Sequence, residues 1–92
     1  MSGFSFGVVT KTGTYTIVLT DDMIRCNGTF TVTLPAVAST PTGKVFYIKN
    51  IGTGTVTVDG NLSETIDDTT TKVLAQYDGM AIINDGTEYW II

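Results

Sequence analysis

GTYTIVL at Gly13 to Leu19, GTFTVTL at Gly28 to Leu34 and GTVTVDG at Gly54 to Gly60 share one grammar: a glycine turn opening onto threonine that alternates with apolar residues. Successive side chains of a strand point to opposite faces, and β-branched residues suit a pleated, half-buried surface. The three stretches therefore read as short strands, each with one face in a core and one face lined by threonine.

The neighbouring sequence continues the pattern. Tyr15, Ile17 and Leu19 share one face, and so do Phe30, Val32 and Leu34, until Pro35 removes a ladder donor and ends the strand. Asn27-Gly28 between apolar runs predicts a hairpin, because both residues tolerate positive φ. KVFYIKNI, Lys44 to Ile51, carries apolar groups on both faces, which predicts a central strand or one whose outer face is covered. Gly52-Thr53-Gly54 turns it into Val56 and Val58, and Asp59-Gly60-Asn61 ends that strand. KVLAQY, Lys72 to Tyr77, follows, too short for a stable isolated helix. Met80 to Ile83 and Tyr89 to Ile92 predict a closing hairpin around Asn84 to Thr87.

Eight or nine short strands separated by turns predict an all-β fold, a small antiparallel β-sandwich or jelly-roll-like barrel. The expected organisation is an N-terminal arm over residues 1–12 and a single domain over 13–92. The glycine repeats lie fifteen and then twenty-six residues apart, and stacked coils are recognised by a fixed period, so they read as strand grammar rather than an array.

At 92 residues, 42% hydrophobic and 15% charged, the chain suits one domain with a thin core and a surface partly covered by a partner. The net charge is −4, and the five basic residues are dispersed, which argues against nucleic-acid binding. No apolar run approaches the ~20 residues of a membrane helix, and MSGFSFGVV lacks the features of a signal peptide, so the expectation is a soluble chain made in a cytoplasm.

The chain has no histidine, so serine or cysteine nucleophiles lack their usual base and histidine metal sites cannot form. Asp21, Asp22, Asp59, Asp67, Asp68, Asp78 and Asp85 lie mostly at strand ends or beside glycine, where aspartate caps turns. The reading is therefore not an enzyme, with no metal or cofactor. Cys26, the single cysteine, reads as a small buried hydrophobe, the alternative being a cross-link between copies. Tyr89 and Trp90 read as core or subunit interface, with stacking on a sugar ring as the alternative. The segment bearing Phe4 and Phe6 is either the first strand or an extension that pairs with a neighbouring protein.

TVTLP (Thr31 to Pro35), FYIKNIGTGTVTVDG (Phe46 to Gly60), ETIDD (Glu64 to Asp68) and NDGTEYWII (Asn84 to Ile92), in that order, resemble a small β-domain of tailed-bacteriophage structural proteins found in head decoration proteins, head fibres and tail fibres. Asp68 stands where that family often has glycine. The resemblance implies a non-enzymatic virion component, assembled in the host cytoplasm and usually a homotrimer. About a dozen residues lie outside the matching region, too few for a fibre shaft, so the expectation is a capsid decoration or head-fibre protein bound to the major capsid protein lattice. Phe4 and Phe6 would contact the capsid, and Tyr47, Tyr89 and Trp90 would close the oligomer. The alternative is a tail-fibre or tailspike tip that binds a host-surface glycan through Ala36 to Gly43 and Asn61 to Thr71.

Overall fold

A computed structural model describes residues 7–92. Phe4 and Phe6 lie outside the described residues. Among the described residues nine strands are formed: β1 (Val8–Lys11), β2 (Tyr15–Thr16), β3 (Met23–Cys26), β4 (Phe30–Thr33), β5 (Val45–Asn50), β6 (Val56–Asp59), β7 (Thr71–Leu74), β8 (Gly79–Asn84) and β9 (Tyr89–Ile91). They make a five-stranded sheet, β1-β3-β5-β8-β9, and a four-stranded sheet, β2-β4-β6-β7. The all-β, sandwich-like expectation holds, but the sheets are mixed rather than antiparallel.

Up to β6 the chain alternates between sheets, so β1, β3 and β5 lie parallel in one and β2, β4 and β6 lie parallel in the other. Three arches are thus stacked on one another. Only afterwards do β7, β8 and β9 add antiparallel strands. This corrects two expectations. Asn27-Gly28 is no hairpin, because β3 and β4 belong to different sheets; the positive φ of Gly28, 145°, serves a corner between them. Nor is the threonine grammar without stacking, since Phe30 pairs with Val56 and Val32 with Val58. The spacing is unequal because a 3-10 turn over Val37–Ser39 and its flanking loop lengthen the second arch. Stacking requires the corners and strands to match, and loops between them are free to differ.

The corners explain the repeated glycine. A Cβ on Gly54 would lie 2.7 Å from the carbonyl oxygen of Gly28, so glycine is needed where one arch rests on the next. Gly13 has no such neighbour, and its arch pairs two residues out of step, Tyr15 with Val32 instead of Phe30.

Alternation supplies the core. Ile24 and Cys26 of β3, Phe46 and Ile48 of β5 and Ile82 of β8 face Val32 of β4, Val56 and Val58 of β6 and Leu74 of β7. Each such aliphatic side chain stabilises the fold by about 1.5–3 kcal/mol relative to exposure. β5 lies centrally in its sheet, as its two apolar faces predict. Leu19 departs from its expected face: the strand ends at Thr16, Asp21 turns the chain by accepting from Val18 N–H (3.1 Å), and Leu19 is exposed while Ile17 is buried. Of the arm expected over residues 1–12, Val8–Lys11 is an integral strand of the larger sheet, paired in parallel with β3.

Two buried asparagines fasten the loops. Asn50, at the end of β5, donates to the carbonyls of Gly54 (2.8 Å) and Leu74 (2.9 Å) and accepts from Gly52 N–H (3.0 Å). Asn84, at the end of β8, donates to Thr40 O (3.0 Å) and accepts from Gly86 N–H (2.8 Å). Among the described residues, no buried side-chain polar atom lacks a partner.

Candidate functional site

The strand registers decide what each sheet shows to its surroundings. In the four-stranded sheet, Thr16, Thr33, Asp59 and Thr71 align in one outward row, and Thr31, Thr57 and Val73 in the next. That face is a threonine ladder with a polar surface.

The outer face of the five-stranded sheet is different. Val8, Met23, Tyr47 and Ala81 align across β1, β3, β5 and β8, and Ile92 N–H, donating to Ala81 O at 2.8 Å, extends the row past β9. A parallel row holds Val45, Ile83 and Trp90. These apolar rows are open at several points: Val8 is 53% exposed, Tyr47 38% and Ile92 67%. The largest apolar patch on a small protein is often functional, and a contact with another protein is one such use.

Charge is arranged at the two ends of the band. At one end, Thr10, Arg25, Lys49 and Gly79 form the next row. Lys49 is held by its ammonium, which donates to Tyr77 O at 2.5 Å. At the other end stands Asp85, which accepts from Thr87 N–H (2.7 Å), Glu88 N–H (2.9 Å) and Trp90 Nε1 (2.6 Å). The backbone donors of Glu88 and Thr87, with the indole, hold its carboxyl below the ordinary aspartate range, so it stays ionised.

The expected site residues separate here. Tyr47 and Trp90 both belong to the outer band. Tyr89 does not: it is fully buried, its ring lies 6.5 Å from that of Phe46, and its hydroxyl donates to Pro35 O at 2.8 Å. Alternation within β9 sends Trp90 out and therefore Tyr89 in. Tyr89 is thus a core residue, not an interface one, and the two rings cannot stack on one sugar together. Cys26 is likewise buried, and burial pushes its thiol up to about 11, so it behaves as a core hydrophobe rather than a surface cross-linking group. Val8, Met23, Ala81, Ile83 and Ile92 were not singled out from sequence; the two-faced pattern of Lys44 to Ile51 signalled a covered face, but only the register joins these residues into one.

Most of the carboxylates are engaged in structure. Asp21 accepts from the Tyr15 hydroxyl (2.5 Å), Asp22 from Gly7 N–H (2.7 Å) and the Lys44 ammonium (2.6 Å), Asp67 from Ile91 N–H (2.9 Å) and Asp78 from Ala75 N–H (3.0 Å). Glu64 accepts from Val37 N–H (3.0 Å) and Glu88 from the Thr65 hydroxyl (2.8 Å). Among the described residues, no three His, Cys, Asp or Glu side chains are grouped to hold a metal, no pocket opens, and no helix is long and apolar enough to cross a membrane. No family model, curated protein or solved structure matches the chain.

Proposed function

We propose that this protein is a structural component of a bacteriophage particle, a decoration protein that coats the head and works by contact rather than by chemistry. The observation that carries the contact reading is the apolar band on the outer face of the five-stranded sheet, opposite a polar threonine ladder: one side of the molecule suits water and the other suits protein. The phage setting comes from the resemblance of the four motifs. In this fold they are framework: TVTLP includes the buried Val32 and Leu34, FYIKNIGTGTVTVDG forms the third arch, ETIDD bridges to β9 through Ile66, and NDGTEYWII completes the final hairpin.

Oligomers would bind the major capsid protein lattice, with Met1 to Phe6, bearing Phe4 and Phe6, as the capsid-contacting segment. A protein that binds only the assembled lattice lowers that state's free energy by mass action, and many modest contacts then hold the shell together. Capsid cosedimentation tests this. The full chain is expected to pellet with mature capsids in saturable amounts, and a chain lacking Met1 to Phe6 to stay in the supernatant while remaining folded. The truncation stops before Gly7, because Gly7 O accepts from Met23 N–H at 2.9 Å. No saturable pelleting of the full chain would refute the lattice role, and undiminished pelleting of the truncated chain would refute the role of the segment.

A further inference from the structure

We propose that the outer face of the five-stranded sheet is a self-complementary interface between two copies of this chain, related by a two-fold axis that lies in the interface and runs perpendicular to the strands. This rests on reading the face as a protein-contact surface, but not on which particle the protein belongs to.

The layout of the face selects the occupant. Along the direction of β5 the order is Asp85, then the row of Val45, Ile83 and Trp90, then the row of Val8, Met23, Tyr47, Ala81 and Ile92, then Arg25 and Lys49. Negative charge is at one end, positive charge at the other, and the apolar rows lie between. Laying an identical face on this one with strands reversed places apolar rows on apolar rows. It also carries Lys49 of each copy to the end where Asp85 of the other stands, offset by one strand, or about 4.8 Å, which a lysine side chain spans. The alternative two-fold, parallel to the strands, keeps Arg25 and Lys49 of both copies at the same end and is disfavoured by like charge. Two sheets packed face to face about 10 Å apart are an ordinary arrangement, so the dimer would be a four-layered stack with the threonine ladders outermost.

The size of the face sets the strength. Five strands about 4.8 Å apart, the longest of six residues rising about 3.4 Å each, give a planar footprint of at most about 20 by 20 Å, or about 400 Å². That falls short of the ~800 Å² per partner of a standard interface, so the dimer belongs with weak, exchanging assemblies. This departs from the threefold oligomer implied by the phage resemblance, because a single face meeting itself closes with two copies.

Sedimentation equilibrium of the full chain across concentrations bracketing the micromolar range decides the matter. The expected result is a monomer–dimer equilibrium. Ala81→Glu, at the centre of the face, is expected to leave a folded monomer. Ile92→Glu, at the exposed chain end, should weaken association by at least about tenfold even if the first variant fails to fold. Lys49→Glu is expected to weaken the dimer at low salt, with a smaller deficit at high salt as screening grows. Val73→Lys, on the threonine face, should change nothing. A chain that stays monomeric, that forms a trimer, that dimerises only after Met1 to Phe6 is removed, or that dimerises equally well with Ile92→Glu would overturn the proposal. Capsid binding by a strictly monomeric chain would overturn it while leaving the decoration role standing.

Discussion

Replacing Asn50 with leucine isolates the polar fastening of the third arch. Leucine nearly matches the volume and adds no charge, so packing is largely kept while three hydrogen bonds vanish. Two of the abandoned bonds, to Leu74 O and from Gly52 N–H, are buried, and the third, to Gly54 O, is partly so. A buried polar group left without a partner costs about 1–3 kcal/mol, and one that reaches water costs less. Summed over the site, Asn50→Leu is expected to lose about 4 kcal/mol. The whole domain is worth roughly 5–14 kcal/mol at ~0.05–0.15 kcal/mol per residue, so this is a large share. At about 4–8 °C per kcal/mol, the melting temperature should fall by roughly 15–30 °C. Urea and thermal unfolding followed by circular dichroism measure both quantities. Asn50→Asp refines the test: a carboxylate facing the carbonyls of Gly54 and Leu74 cannot donate, whereas its protonated form can donate once. Its folded pKa is then raised above the unfolded value of about 3.9, so stability is greatest below that pH and is lost as pH rises. A loss under about 1 kcal/mol for Asn50→Leu, or an Asn50→Asp protein indifferent to pH, would refute the claim that this side chain ties β5, the corner and β7 together.

Other consequences are independent of that site. Gly54→Ala drives a methyl against the backbone of Gly28, which has no rotamer to escape into, and should cost about 1–3 kcal/mol in urea unfolding; Gly13→Ala, with open space around it, should stay within about 0.5 kcal/mol. Equal effects would remove the stacked-corner explanation. Burial, then hydrogen bonding to Asp21 and its charge, push the Tyr15 hydroxyl up to about 12 from the ordinary 10.0. The stability it contributes is fully present below pH 10 and is lost as pH rises toward 12. The urea midpoint should fall across that window, less steeply in Tyr15→Phe, and an identical fall in the variant would show that Tyr15 is not its source.

The sequence made legible whatever alternation alone controls. The inward faces of β4 and β6, the central place of β5 and the final hairpin all follow from period-two patterning, and Asp21, Asp78 and Asp85 cap turns, whereas Asp22 pairs with Lys44 and Asp67 reaches across to Ile91. Pairing was not legible. Asn27-Gly28 carries the local chemistry of a hairpin, yet the chain there crosses to the other sheet, because partner choice is set by which strands stack and not by the turn residues. The same gap hid the stacking of arches, since loop length varies freely between matched corners. It also hid the candidate site: Val8, Met23, Tyr47, Ala81 and Ile92 are spread from one end of the chain to the other and become neighbours only through register. Tyr89 and Trp90 show how strict that dependence is, because adjacent aromatics with similar chemistry go to opposite sides of one strand. Asn50 and Asn84 left no signal beyond their place at strand ends, where asparagine usually marks an exposed turn.

The most direct test of the proposed decoration role is an electron cryomicroscopy map of the phage particle proposed to carry this protein. Many copies of the two-sheet fold are expected over the head surface, each with the five-stranded face carrying Tyr47, Ala81 and Trp90 buried against a neighbouring protein and the threonine ladder facing water. A few copies confined to the tail tip, or a five-stranded face turned to solvent with the threonine ladder making the contacts, would contradict it.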